Sequence, residues 1–153
     1  FLVEVQGLVS RSAFGTVRHK AQGFDTNRLA LLVAVLEKRL DLRIEDQDIF
    51  LNIVGGVKVE DPAADLSVAL AVASAFLNRA VDFDTVVLGE VGLSAEVRSV
   101  SHLPLRLNEA EKLGFKKCLI PKNNLKARNS FKTKTLEIIP VSTVREALDH
   151  LNQ

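Results

Sequence analysis

The chain has 153 residues and a mass of 16.8 kDa, 47% hydrophobic and 25% charged, which suits one domain able to bury roughly 68–70% of its unfolded surface. Twenty Lys+Arg against nineteen Asp+Glu leave a net charge of +1, which by itself points to no partner, and a single cysteine, Cys118, excludes an internal disulfide framework and a cysteine-based zinc site. No apolar stretch approaches the ~20 residues of a membrane span, no signal peptide opens the chain, and a sequence that begins at Phe1 without any Met is expected to be an excised piece of a longer cytoplasmic protein.

Phe1 to Val9 (FLVEVQGLV) is apolar and β-rich, with Glu4 and Gln6 alternating, and predicts a strand. Ser10 to Gly15 is turn-like, and Thr16 to Gln22 is expected to return as its hairpin partner. Asp25 or Thr26 then caps a helix whose apolar positions, Leu29, Leu32, Val33, Val35, Leu36 and Leu40, recur at helical spacing. Asp48 to Val54 (DIFLNIV) predicts a strand ended by Gly55-Gly56. Pro62 fits the first turn of a second helix, about Ala63 to Asn78, whose Ala and aliphatic content predicts burial.

Thr85 to Leu88 is expected as a strand, and Val91 to Val100 as another strand or a hairpin. Leu103, Leu107, Ala110 and Leu113 mark an amphipathic helix with Gly114 where a C-cap belongs. Lys117 to Ile120 and Leu136 to Val141 predict short strands. Ser142 is placed as the N-cap of a final helix running to Leu151, with Glu146 near its first turn. Strands alternating with helices argue an α/β domain over residues 1–153, with no internal repeat and no linker.

The near-zero net charge is an average. From Arg98 to Lys134 there are ten basic residues and two acidic ones, so these 37 residues carry +8 and the other 116 carry −7. Such segregation can build an electropositive face of the kind nucleic acid responds to, or can be an ordinary solvated surface. His19, His102 and His150 are widely spaced and show no ligand pattern, so no metal site is expected. Gly55-Gly56-Val57-Lys58 follows a strand but lacks the spacing of a phosphate-wrapping loop. Cys118 lies within a strand pattern and reads as a small buried hydrophobe. Glu60, Asp61 and Asp65 cluster at a helix start, where they suit the helix dipole better than acid–base work.

Several strings in one order carry a resemblance across essentially the whole chain: FLVEVQGLV, NRLA at Asn27–Ala30, DQDIFLNIVGGVKV, DPAADL at Asp61–Leu66, GEVGL at Gly89–Leu93, and KLGFKK followed by IPK. Together they resemble the C-terminal Lon-protease-like domain of the bacterial RadA (Sms) DNA-repair family. The resemblance implies the α/β Lon protease-like fold shared with ribosomal protein S5 domain 2. It also implies a zinc finger and a RecA-like ATPase elsewhere in the longer protein, where zinc and ATP would bind; no cofactor is expected in this domain.

Lon proteases use a Ser–Lys dyad, in which lysine accepts the proton of the attacking serine. By resemblance Ala63 occupies the serine position and Pro104 the lysine position. A two-residue slip brings Arg106, which stays protonated near neutral pH and is a poor base. Ser67 lies one turn further on. The resemblance therefore implies a non-proteolytic scaffold of a hexameric, ATP-dependent DNA motor acting in recombinational repair and branch migration. Its expected partners are single-stranded or branched DNA, further copies of itself in a ring, and a recombinase.

Matched residue by residue, DNA contacts fall on Arg18, where His19 replaces a second arginine and Lys20 compensates, and on Arg28 and Lys58. These would meet phosphates without reading bases, while Arg28 equally suits a salt bridge at a helix start. All eight aromatics are Phe, several in strand patterns, so a base-stacking platform cannot be claimed from the sequence. The basic segment 98–134 suits a second DNA face or the outer rim of a ring. A different class of function, an oligomerisation or protein-docking module without DNA contact, fits the same residues, and a peptidase is the third.

Overall fold

The computed structural model describes residues 2–13, 15–126 and 132–152. Its elements alternate as expected: β1 (Val5–Arg11), β2 (His19–Gln22), α1 (Thr26–Leu40), β3 (Gln47–Ile53), a 3-10 turn (Pro62–Ala64), α2 (Asp65–Leu77), β4 (Thr85–Val87), β5 (Glu90–Val91), β6 (Val97–Arg98), α3 (Leu103–Lys112), β7 (Lys117–Pro121), a second 3-10 turn (Lys122–Lys126), β8 (Glu137–Val141) and α4 (Val144–Leu148). The result is a mixed α/β structure. One sheet has the order β1-β3-β2, a second is the parallel β4-β7-β8, and β5 and β6 form a small hairpin.

In the first sheet the most apolar strand takes the centre. β3 pairs antiparallel with β1, Leu8 opposite Phe50, and parallel with β2, Lys20 opposite Phe50. The expected hairpin between β1 and Thr16–Gln22 does not form. β2 offers only His19 and Ala21 to the interior, and its entry is tied to β3: Ile49 N–H donates to the Arg18 carbonyl at 2.9 Å. β1 also runs later than its apolar pattern suggests, to Arg11 opposite Gln47, because ladder hydrogen bonds need only backbone groups.

Alternation along β3 separates two faces. Ile49, Leu51 and Ile53 point inward against α1 and α2, each at most 3% exposed. Phe50 and Asn52 point outward beside Gln6 and Leu8 of β1 and Lys20 and Gln22 of β2, forming an open, shallow concavity of about 880 Å3. α1 starts where Asp25, one of the two caps expected, accepts the Asn27 N–H at 3.1 Å; Thr26 is the first residue of the helix. Its fully buried Leu29, Leu32 and Leu36 each contribute about 1.5–3 kcal/mol through burial.

α2 is buried almost all round, which explains its continuous apolar composition. It packs on β1 and on α4, and its apolar residues share one core with Leu119 and Val141 of the second sheet. The parallel second sheet is covered on both faces: Leu119 joins the α1–α2 core, while Cys118 and Ile120 face Leu103, Leu107 and Ala110 of α3. Burial pushes the Cys118 thiol up to about 12, so it stays protonated and unreactive near neutrality. Pro140 sits in β8, an edge strand where a missing N–H is tolerated.

The final helix is shorter than expected and starts one residue later. Thr143, not Ser142, is the N-cap, its hydroxyl accepting the Glu146 N–H at 3.1 Å. Ser142 is committed to the hairpin instead: its carbonyl accepts the Val97 N–H at 2.9 Å, and its own N–H donates to the Glu146 carboxylate at 3.1 Å. Likewise Pro62 opens a 3-10 turn rather than α2 itself, with Asp61 accepting the Ala63 N–H at 3.0 Å. Among the described residues no helix is long and apolar enough to cross a membrane.

Candidate nucleic-acid interface

β2 places three of the four basic candidates along one rim of the first sheet. Arg18 immediately precedes the strand and Lys20 projects from its outer face. The 57–59 segment folds back onto the strand's far end, where Val59 N–H donates to the Gly23 carbonyl at 2.7 Å, bringing Lys58 just beyond Gln22. Gly23 permits this approach because its φ is +85° and a Cβ there would lie 2.5 Å from the Val57 carbonyl oxygen.

The three cations are held differently. Arg18 donates its backbone N–H to Asp48 Oδ1 at 2.9 Å and its guanidinium to Oδ2 at 3.3 Å. That guanidinium also lies 5.6 Å from the centre of the Phe50 ring, within cation–π range. Lys20 is exposed and has no ion-pair partner among the described residues. Lys58 is 3.2 Å from Glu60, but both side chains are largely in water, so the pair contributes little and leaves the ammonium accessible.

Arg28 turns away from this rim. From the first turn of α1 its Nε donates to Asp65 Oδ1 at 3.0 Å, and its Nη2 reaches Asp65 Oδ2 in the same fork. Asp65 is 1% exposed, and Oδ2 also accepts the Val91 N–H at 3.1 Å. Arg28 thus ties α1 to α2 and to the β5–β6 hairpin. The hydrogen bond to Asp65 raises its already high pKa, outweighing the cost of burial.

Asp48 makes the rim sensitive to acid. Its carboxyl is held below its ordinary 3.8, first by the Arg18 backbone N–H and then by the Arg18 side chain, against the opposing effect of burial. A carboxyl depressed in the folded state contributes stability above its unfolded pKa and loses it as pH falls through the folded value. Thermal midpoints measured from about pH 6 down to about pH 2 should therefore fall on the acid side. An Asp48→Asn variant should show a shallower fall below pH 3.8; an unchanged acid limb would mean Asp48 is not among the groups responsible.

A second region surrounds the position matched to the Lon serine. Ala63 is buried at 4% exposure, and its carbonyl accepts the Gly89 N–H at 2.9 Å while Leu66 N–H donates back to Gly89 O at 3.0 Å. This clasps the GEVGL turn against the start of α2. Pro104 lies exposed in the first turn of α3. Arg106, two residues beyond, reaches Asp61 at 2.8 Å, and against the opposing effect of burial the Ala63 N–H and that guanidinium hold the Asp61 carboxyl below its usual range. Ala63 brings only a methyl group to this corner, and an arginine–carboxylate pair spans it.

Among the described residues of the basic segment 98–134, three cations are paired. Arg98 pairs with Glu96, Arg106 with Asp61 and Lys117 with Asp82, all acids outside the segment. Lys116 and Lys122 flank β7 at opposite ends. Arg128 lies outside the described residues, as does the Lys126 side chain. Sequence reasoning missed three contributors: Asp48 and Asp65, read as a strand residue and a dipole carboxylate, and Phe50. For Asp48 and Phe50 the signal was the alternation Asp48-Phe50-Asn52 against Ile49-Leu51-Ile53, which separates an outer from an inner face; Asp65 had none nearby in the sequence.

The model of the family described as ChlI, "Subunit ChlI of Mg-chelatase", matches residues 25–124. The chain belongs to this ChlI family. The family match begins at the Asp25 cap, so it takes in Arg28, Lys58, Ala63 and Pro104 and leaves out β1, Arg18 and Lys20. Beyond the ChlI match the likeness covers nearly the entire chain. It is 47% identical over 148 residues, 97% of its length, to a protein of Halalkalibacterium halodurans named DNA repair protein RadA. Proteins of the same name are 48% identical in Aquifex aeolicus, over 98% of this chain, and 46% identical in Bacillus subtilis, over 96%. The chain spans about a third of the length of these relatives, 32%, 33% and 32% respectively.

Proposed function

We propose that this chain is a non-proteolytic, Lon-like module, with the ribosomal protein S5 domain 2 fold, of a RadA-type DNA-repair protein, and that it holds DNA through the β2 rim. The observation that carries the reading is likeness at 46–48% identity, along nearly the whole chain, to proteins named DNA repair protein RadA. The rim supports it by lining up Arg18, Lys20 and Lys58 while Arg28 serves the core. The methyl of Ala63 and the Arg106–Asp61 pair support a corner without nucleophile or base. In this reading the longer protein is an ATP-driven, hexameric ring motor of recombination and branch migration. This module is then part of its scaffold, ATP and zinc bind in other domains, and a recombinase is a further partner.

Phosphate contacts from lysines release counterions, so binding weakens with salt at a slope of about 0.7 per contact on a single strand. Lys20→Ala and Lys58→Ala together should lower the slope of log affinity against log salt by about 1.4 while leaving the thermal midpoint in place. That series is measured by anisotropy of a labelled oligonucleotide. An unchanged slope would remove the rim from the DNA contact. The alternative, an oligomerisation or docking module without DNA contact, draws on Leu105 and Leu113, 69% and 61% exposed on and just after α3. It predicts no DNA affinity and a mass in solution that falls when both leucines become serine.

A further inference from the structure

The outer face of the first sheet carries more than phosphate contacts. Its middle row, in register across three strands, is Leu8, Phe50 and Lys20. The next row is Gln6, Asn52 and Gln22, three side-chain amides side by side. At the other side Arg18 stands over the Phe50 ring at 5.6 Å, held there by Asp48. The two rows line one shallow concavity rather than a pocket, with Phe50 half-buried at its centre and Leu8 61% exposed beside it.

We propose that this face is a base-stacking platform for single-stranded DNA, in which a base lies on Phe50 and the backbone passes along β2. The proposal rests on the DNA-binding reading above and adds to it the form of DNA bound. A flat aromatic surface can hold an unpaired base and has nothing to offer a base stacked inside a duplex. A base on Phe50 takes the place of Arg18 over the ring and leaves the guanidinium for the adjoining phosphate. The amide row supplies donors and acceptors to base edges on the other side. Charge at the centre suits the same occupant. Lys20, with no ion-pair partner among the described residues, is positive there, while Asp48 lies beside Arg18 and Glu4, hydrogen-bonded by the neutral Gln6 amide, keeps its negative charge at the margin.

The chain has no Trp and no Tyr, so Phe50→Trp introduces its sole indole at the platform. Two labelled strands of about 15 nucleotides serve as probes at fixed salt, oligothymidine and a base-free abasic strand of equal charge. Phe50→Leu keeps most of the side-chain volume and removes the ring. It should weaken oligothymidine binding about tenfold while abasic binding stays within about twofold. Phe50→Trp should restore affinity, and its fluorescence should be quenched by oligothymidine and not by the abasic strand.

Equal oligothymidine affinity for Phe50→Leu and the parent, or an unquenched indole at saturation, would overturn the platform and leave the phosphate-binding rim intact. If the parent binds neither strand, the platform and the DNA-binding reading fall together.

Discussion

Replacing Arg28 with alanine lowers the thermal midpoint by roughly 6–12 °C, the shift expected for about 3 kcal/mol in a domain of this size. The magnitude follows from what is left behind. Asp65 is 1% exposed, and its carboxylate would keep only the Val91 N–H among its present partners. Removing one partner of a buried pair costs about 3–5 kcal/mol, and the lower figure applies because the Arg28 side chain is itself 32% exposed. Arg28→Lys restores the charge without the fork and should recover only part of the loss. A double change, Arg28→Met with Asp65→Leu, removes both charges and should be milder than either charge deletion alone. A midpoint within about 2 °C of the parent for Arg28→Ala would show that water replaces the guanidinium at no cost. Any loss of DNA affinity in Arg28→Ala must therefore be measured beside its stability before it is assigned to a phosphate contact.

Gly23→Ala has a comparable effect by a different route. The residue sits at φ +85°, a conformation that strains an L side chain by about 1–3 kcal/mol. Its Cβ would also lie 2.5 Å from the Val57 carbonyl oxygen and 2.8 Å from Ile53 Cβ, backbone and β-branched atoms that do not yield easily. Together these predict a loss of about 3 kcal/mol or more, seen as a reduced denaturant midpoint. Relief comes most directly by moving residues 57–59 off the end of β2, which displaces Lys58 from the rim. The variant should accordingly lose affinity for single-stranded DNA at temperatures where it remains folded, and Gly56→Ala, whose Cβ meets nothing within 4 Å, should cost less. Equal stability of the two variants would contradict the close approach at Gly23.

What could be read from the sequence was local. The Asp25 cap, the αL glycine after α3 and the alternation along β3 each depend on residues within a few positions, and all three are present. What could not be read depends on partners far along the chain. β2 lies parallel to β3 because the strand between β1 and β2 in space comes after both in sequence, a choice made by which strand is most apolar. Arg28 meets Asp65 across 37 positions, and nothing near either residue distinguishes that fork from a solvent-facing arginine and a helix-dipole carboxylate. The candidate site divided along the same line. Lys20 and Lys58 stand exposed near one rim, whereas Arg28 is paired with the buried Asp65 and the neighbours of Phe50 come together only when three strands are in register.

The central position of β3 also orders events during synthesis. β1 and β2 both pair with Gln47–Ile53 and not with one another. Both strands therefore leave the ribosome with no sheet partner, and α1 emerges before there is a sheet for its apolar stripe to cover. A nascent chain shorter than the end of β3 exposes Leu29, Leu32 and Leu36 to whatever is nearby, and the emergence of seven residues closes the sheet on both sides at once.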